Sequence, residues 1–209
     1  VIGFDNDKKK IKLLNKGTSY IERIKSRDVK LLKNSCFHSF EKIFDCDILI
    51  ICVPTPLTKN QTPDLSYIKE TIKFAKKYLR KNQILILEST SYPGTTVEEI
   101  VKKIYKKFDI GQNFFVGFSS ERINPGINEN QIQNIPKVVS GYSKNCLKLI
   151  KIFYDKNFKK VVPASKIEIA EFSKLLENIY RAVNISFFNE MKIVSDNMGL
   201  DIFEIIKIA

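Results

Sequence analysis

The sequence predicts an α/β protein: a doubly wound, mostly parallel sheet followed by one long helix. Three observations carry that reading. Short apolar runs at residues 47–53, 83–87 and 114–118 alternate with helix-period stretches, and the connections are short, as right-handed βαβ units require. Each run ends in a polar loop containing proline or glycine, the place where ligands bind in open α/β sheets. Residues 165–198 then carry Phe172, Leu175, Leu176, Ile179, Ala182, Val183, Phe187 and Val194 at spacings of three and four with no proline or glycine, which predicts a helix of about nine turns.

Taken in order, VIGFD reads as a strand and residues 7–14 as a helix. Asp5 stands where an acidic residue at a strand end accepts hydrogen bonds from an adenosine ribose, although Asp5 or Asp7 would serve equally as a helix cap. A glycine-rich pyrophosphate turn belongs about twenty residues before such an acid, and nothing precedes Val1 here. A short strand is expected at 36–40. Residues 47–53 are apolar on both faces, which suits the interior of a parallel sheet, and Pro54-Thr55-Pro56 ends them. Pro63-Asp64-Leu65-Ser66 opens a helix to about Leu79, and the strand at 83–87 delivers Glu88-Ser-Thr90-Ser-Tyr-Pro93-Gly94 before a helix over 95–108. The strand at 114–118 delivers Ser119-Ser-Glu121-Arg122-Ile123-Asn124-Pro125-Gly126, whose charged pair is either a site or a surface ion pair. Two further strands, 137–140 and 160–163, flank a helix over 144–154. In the long helix, Ser165 with Glu168 reads as the N-cap and Gly199 as the stop. Glu171, Lys174, Asn178, Arg181 and Asn189 share one flank, which either meets water or points Lys174, Asn178 and Arg181 into a site built by the preceding residues. Asp201 starts a last helix.

Composition narrows the classes. At 44% hydrophobic and 28% charged, 209 residues suffice for one large domain or one domain with an appendage. The apolar run at 48–53 is too short to span a bilayer and VIGFDNDKKK lacks the order of a signal peptide, so a soluble cytoplasmic protein is expected, with no membrane partner. Cys36, Cys46, Cys52 and Cys146 lack paired close spacing and read as buried free thiols, not a disulfide framework or a metal site. The net charge of +12 calls for an anionic partner or reflects lysines solvating helix faces. Nucleic acid is disfavoured because no basic patch interleaved with stacking aromatics is present.

Several motifs in register carry a resemblance. VIGFDNDKKKIKLLNKG, ILIICVPTPL with PDLSYI, LILESTSYPGTT, FSSERINPG, and AEFSKLLENIYRAVNISFFNE with MGLD together resemble the UDP-glucose/GDP-mannose dehydrogenase family, over nearly the whole chain. The resemblance implies a Rossmann-like NAD-binding domain at 1–163, lacking its first strand, and a central helical region at 164–209 that forms a homodimer through the long helix. It implies NAD-dependent oxidation of a UDP-sugar's C6 alcohol to the uronic acid in two hydride transfers, for surface polysaccharide synthesis. By it, Asp5 and Lys10 meet the adenosine end of NAD, and Thr55 and Thr90 lie along the cofactor, Thr90 also near the catalytic water. Glu121 matches the glutamate that assists thioester hydrolysis. Arg122, Ile123 and Arg181 match substrate contacts, and Lys174 with Asn178 the pair that holds the reacting oxygen. Pro125 in ERxxPG resembles the branch acting on UDP-N-acetylmannosamine or UDP-N-acetylglucosamine, and Ser120 departs from the usual proline. The family's nucleophilic cysteine matches none of the four present, so these 209 residues are not expected to complete the reaction. The alternatives are a non-catalytic remnant acting as a subunit or interaction module, and a basic nucleic-acid-binding domain.

Overall fold

The computed structural model describes residues 1–22, 24–121 and 134–209. β3 (Ile48–Ile51), β4 (Ile84–Leu87), β5 (Phe115–Ser119), β6 (Lys137–Gly141) and β7 (Val161–Pro163) form a five-stranded sheet in that order, parallel except between β5 and β6. β1 (Gly3–Phe4) and β2 (Cys36–Phe37) make a separate parallel pair. It joins the larger body through a stack of Phe4 on Phe40 and Phe40 on Phe74.

Side chains alternate across a strand, and β4 shows what this does here. Leu85 and Leu87 enter a core that includes Ile68 and Ile72 of α3 (Ser66–Ala75) and Ile100 and Ile104 of the next helical segment. Ile86 points the other way, toward Ile150 and Tyr154 of α5 (Lys144–Asp155). Apolar residues on both faces recruit helices to both faces, so the sheet is doubly wound, as the sequence implied.

The smaller elements follow local rules. α1 (Lys8–Asn15) starts at Asp7, whose carboxylate accepts from the Lys9 and Lys10 amides; these bonds hold its carboxyl below the ordinary range. α2 is a single turn, Ser26–Val29. The helix expected over 95–108 is a π-helical turn, Val97–Val101, continued by α4 (Lys102–Ile104). α6 (Ile167–Asn197) is the long helix and α7 (Ile202–Ile208) follows it. Gly199 stops α6 with φ +69°, a left-handed conformation that glycine adopts without strain. None of the described helices is long and apolar enough to cross a membrane.

Two expectations need correction. The N-cap of α6 is Lys166, extended and without a side-chain cap bond, not Ser165. Ile167 is buried in the main core beside Ala170, and this anchors the first turn one residue later than the Ser165–Glu168 pattern implied. Among the described residues β3 pairs only with β4, and Ile50 is 41% exposed. Cys36 and Cys146 are buried and free, but Cys46 is half-buried and Cys52 exposed, because both flank that strand.

Candidate active site

β3, β4 and β5 run in parallel, so their carboxyl ends share one edge, where Thr55, Thr90 and Glu121 emerge. The loops bearing them are tied together. The Ser89 hydroxyl donates to the Val53 carbonyl at 2.7 Å, and the Glu88 amide donates to the Ile51 carbonyl at 2.8 Å. Past Thr55, the chain turns back through a Leu57–Pro63 bridge, with the Asp64 amide donating to Pro56. Thr55 is half-buried, and Thr90 and Glu121 are exposed.

The long helix reaches this edge through Glu171, which is fully buried. Its carboxylate accepts from the Gly94 amide at 2.6 Å, the Thr96 amide at 2.8 Å and the Thr96 hydroxyl at 2.7 Å. Gly94, at φ +100°, turns the loop so that these amides point at one carboxylate. Burial pushes the Glu171 carboxyl up, and the bonds from Thr96 and Gly94 pull it back only in part. Lys174 and Asn178 follow one and two turns later on the same flank, both half-buried. The loop carrying Thr90 is thus clamped to the helix carrying Lys174 and Asn178. Arg181, a turn further on, is exposed and pairs with Glu177 at 3.0 Å on its own helix.

A second cluster closes the other side. Lys137, at the start of β6, lies 2.9 Å from Glu88 and 3.3 Å from Glu121. Tyr154 of α5 donates a short hydrogen bond to Glu88. Burial first and the Glu88 charge second push the Tyr154 hydroxyl far above its ordinary range. Lys137, Glu88, Tyr154 and Glu171 escaped the sequence reading as site residues. The one available signal was that Glu171 shares the flank of Lys174 and Asn178.

At the separate strand pair, Asp5 stands at the carboxyl end of β1, half-buried, with Oδ1 accepting from the Asp7 amide at 2.7 Å. Asp7, not Asp5, accepts from the first-turn amides of α1. A carboxylate oxygen here has the chemistry to accept from a ribose hydroxyl. Lys10 is half-buried with its ammonium 5.6 Å from the Tyr20 ring centroid. At the main edge, the buried hydroxyls of Ser91 and Ser120 have no hydrogen-bond partner among the described residues, which fits a place that receives polar groups. Arg122 and Ile123, with Pro125, lie outside the described residues.

An open, mostly parallel sheet with helices on both faces and polar loops gathered at its carboxyl edge defines a dinucleotide-binding α/β protein. Residues 1–158 match the model of the UDP-glucose/GDP-mannose dehydrogenase family's NAD binding domain, and 168–209 that of its central domain. The chain belongs to that family. It is 33% identical to UDP-N-acetyl-D-glucosamine 6-dehydrogenase of Pseudomonas aeruginosa, over 100% of this chain and 50% of that protein. It is 30% identical to UDP-N-acetyl-D-mannosamine dehydrogenase of Methanocaldococcus jannaschii, over 100% and 49%. Among solved structures, GDP-mannose dehydrogenase of Pseudomonas aeruginosa in a ternary complex superposes with a TM-score of 0.90 at 25% identity, over 100% of this chain and 50% of that one. A UDP-D-ManNAc dehydrogenase of Pyrococcus horikoshii gives 0.88 at 28%, over 100% and 51%. The chain spans about half the length of the curated relatives it matches.

Proposed function

We propose that this chain is the NAD-binding and central part of an enzyme that oxidises the C6 alcohol of a UDP-N-acetylhexosamine to the uronic acid, for surface polysaccharide synthesis. The observation that carries the reading is the Glu171 clamp, which sets a lysine and an amide on one rigid helix against the loop of Thr90. On this reading residues 1–163 bind NAD and residues 164–209 form the central region. NAD supplies the hydride acceptor. Asp5 takes the ribose hydroxyls, Lys10 meets the adenosine end, and Thr55 and Thr90 line the cofactor's path. The Lys174 amine takes the alcohol's proton, and the ammonium so formed, with the Asn178 amide, stabilises the charge developing on the reacting oxygen, without either group moving during the reaction. Glu121 takes a proton from the attacking water in the hydrolytic step, near Thr90. Arg122, Ile123 and Arg181 contact the sugar nucleotide.

The partner of the helical region is a second copy of this chain. Phe172, Leu176, Ile179 and Val183 form a stripe along α6 that is 53–61% exposed, and Phe203 and Ile208 of α7 are more exposed still. The names of the relatives support the substrate class, and ERxxPG supports the N-acetylhexosamine branch.

The test is NADH formation from NAD and UDP-N-acetylglucosamine or UDP-N-acetylmannosamine by the chain extended to the relatives' length. Lys174→Ala is expected to lower turnover by about 100-fold or more, the scale of one oxyanion or acid/base group. Normal turnover in that variant removes Lys174 from the mechanism. An extended chain that neither turns over these sugars nor gains thermal stability with NAD is a non-catalytic subunit instead.

A further inference from the structure

We infer that Lys137 is a positioning residue for Glu121, a role that rests on the function proposed above, in which the Glu121 carboxylate takes a proton from water. Lys137 is an unusual residue to find at 4% exposure, because an ammonium leaves water only at considerable cost unless it is paired. Here every side of it is engaged. Its backbone is fixed inside the sheet, its amide donating to the Lys160 carbonyl at 2.9 Å and its register set against Val161. Its ammonium lies 5.3 Å from the ring centroids of both Tyr154 and Phe158. Glu88 at 2.9 Å is the near partner, and Tyr154 anchors Glu88 in turn.

A purely structural ion pair needs one carboxylate. The second one, Glu121, lies 3.3 Å away with its side chain 48% exposed, at the end of the neighbouring strand on the edge that also carries Thr90. Two carboxylates at adjacent strand ends repel each other, and the ammonium between them offsets that repulsion while holding one oxygen of Glu121 in place. Glu88, Tyr154 and Phe158 therefore fix Lys137, and Lys137 fixes the base. Sequence separations of 16 between Lys137 and Glu121 and 66 between Tyr154 and Glu88 hide the arrangement from any local pattern.

The experiment is a double-mutant cycle in the extended chain, reading steady-state turnover of the UDP-sugar. Lys137→Met is expected to lower kcat by about 100-fold, the low end of what a positioned base supplies, with KM changed less than about 3-fold. In a Glu121→Gln background the same substitution is expected to cost less than about 3-fold more, since the group it acts through is already gone. Lys137→Arg, which keeps the charge, is expected to retain turnover within about 10-fold of the parent. Equal losses from Lys137→Met in both backgrounds overturn the inference and make Lys137 structural only, as does a Lys137→Arg variant as impaired as Lys137→Met. If Lys137→Met does not fold, Lys137→Gln in the two backgrounds makes the same comparison. A parent chain with no turnover overturns the functional reading itself, whereas an active parent with additive losses overturns only the role of Lys137.

Discussion

Glu171→Ala removes the acceptor that joins the long helix to the loop of Thr90, and the cost can be worked from the three hydrogen bonds that its carboxylate accepts. The Thr96 amide and hydroxyl, both buried, lose their acceptor at about 1–3 kcal/mol each, and the part-buried Gly94 amide adds less, so about 4 kcal/mol of stability is expected to go. Against a typical total of about 5–15 kcal/mol, that is a large share. Urea unfolding at neutral pH measures it, as a lower midpoint at unchanged slope. A loss under about 1 kcal/mol refutes the clamp, because donors that cheaply re-satisfied were not held by Glu171. The pH dependence of Glu171→Gln adds a signed check. Burial raises the carboxyl above its ordinary value of 4.5, against the pull of the bonds from Thr96 and Gly94. A raised folded-state value means that the stabilising protonated form is fully present below 4.5, and that its contribution is lost as pH rises through the folded value. Glutamine keeps the carbonyl acceptor and never ionises. The variant is therefore expected to improve relative to wild type as pH rises from about 4 toward neutrality, and a gap independent of pH contradicts that account.

Gly117→Ala is expected to destabilise by about 3 kcal/mol, read as a fall in melting temperature. A Cβ there would stand 2.1 Å from the Ser140 carbonyl oxygen and 2.4 Å from Ile150 Cδ1, so β5 and β6 would have to part; an unchanged melt contradicts the packing. Val183→Glu, at a position 61% exposed on the apolar stripe of α6, is expected to leave the fold intact and shift light-scattering mass from dimer to monomer. A parent that is monomeric, or a variant that stays dimeric, removes the helix stripe from the interface. Tyr154→Phe deletes the donor to Glu88 and is expected to cost about 1–3 kcal/mol in urea unfolding, because a part-buried carboxylate loses a partner.

How much was legible in advance follows from how local each signal is. Continuous apolar runs placed β3, β4 and β5 and period-3.6 patterns placed α3, α5 and α6, since burial of one face or both dictates which positions must be apolar. Proline and glycine marked the loops after β3 and β4, and the motif order within those loops already pointed to the family. The start of α6 was misread because a capping signature competed with the burial of Ile167, and burial prevailed.

The sequence by itself determined the α/β class, the main strands and helices, and the residue types at one sheet edge, because those depend on spacings of a few residues. Only the tertiary structure decided which polar groups meet. Glu171 could have faced water like any flank residue, yet it accepts from amides 75 and 77 positions earlier, and Lys137 gathers carboxylates from the loops after two other strands. Such pairings have no local signature, since a buried charge is tolerable only where distant chain segments deliver its partners, and that delivery is a property of the packed sheet and helices as a whole.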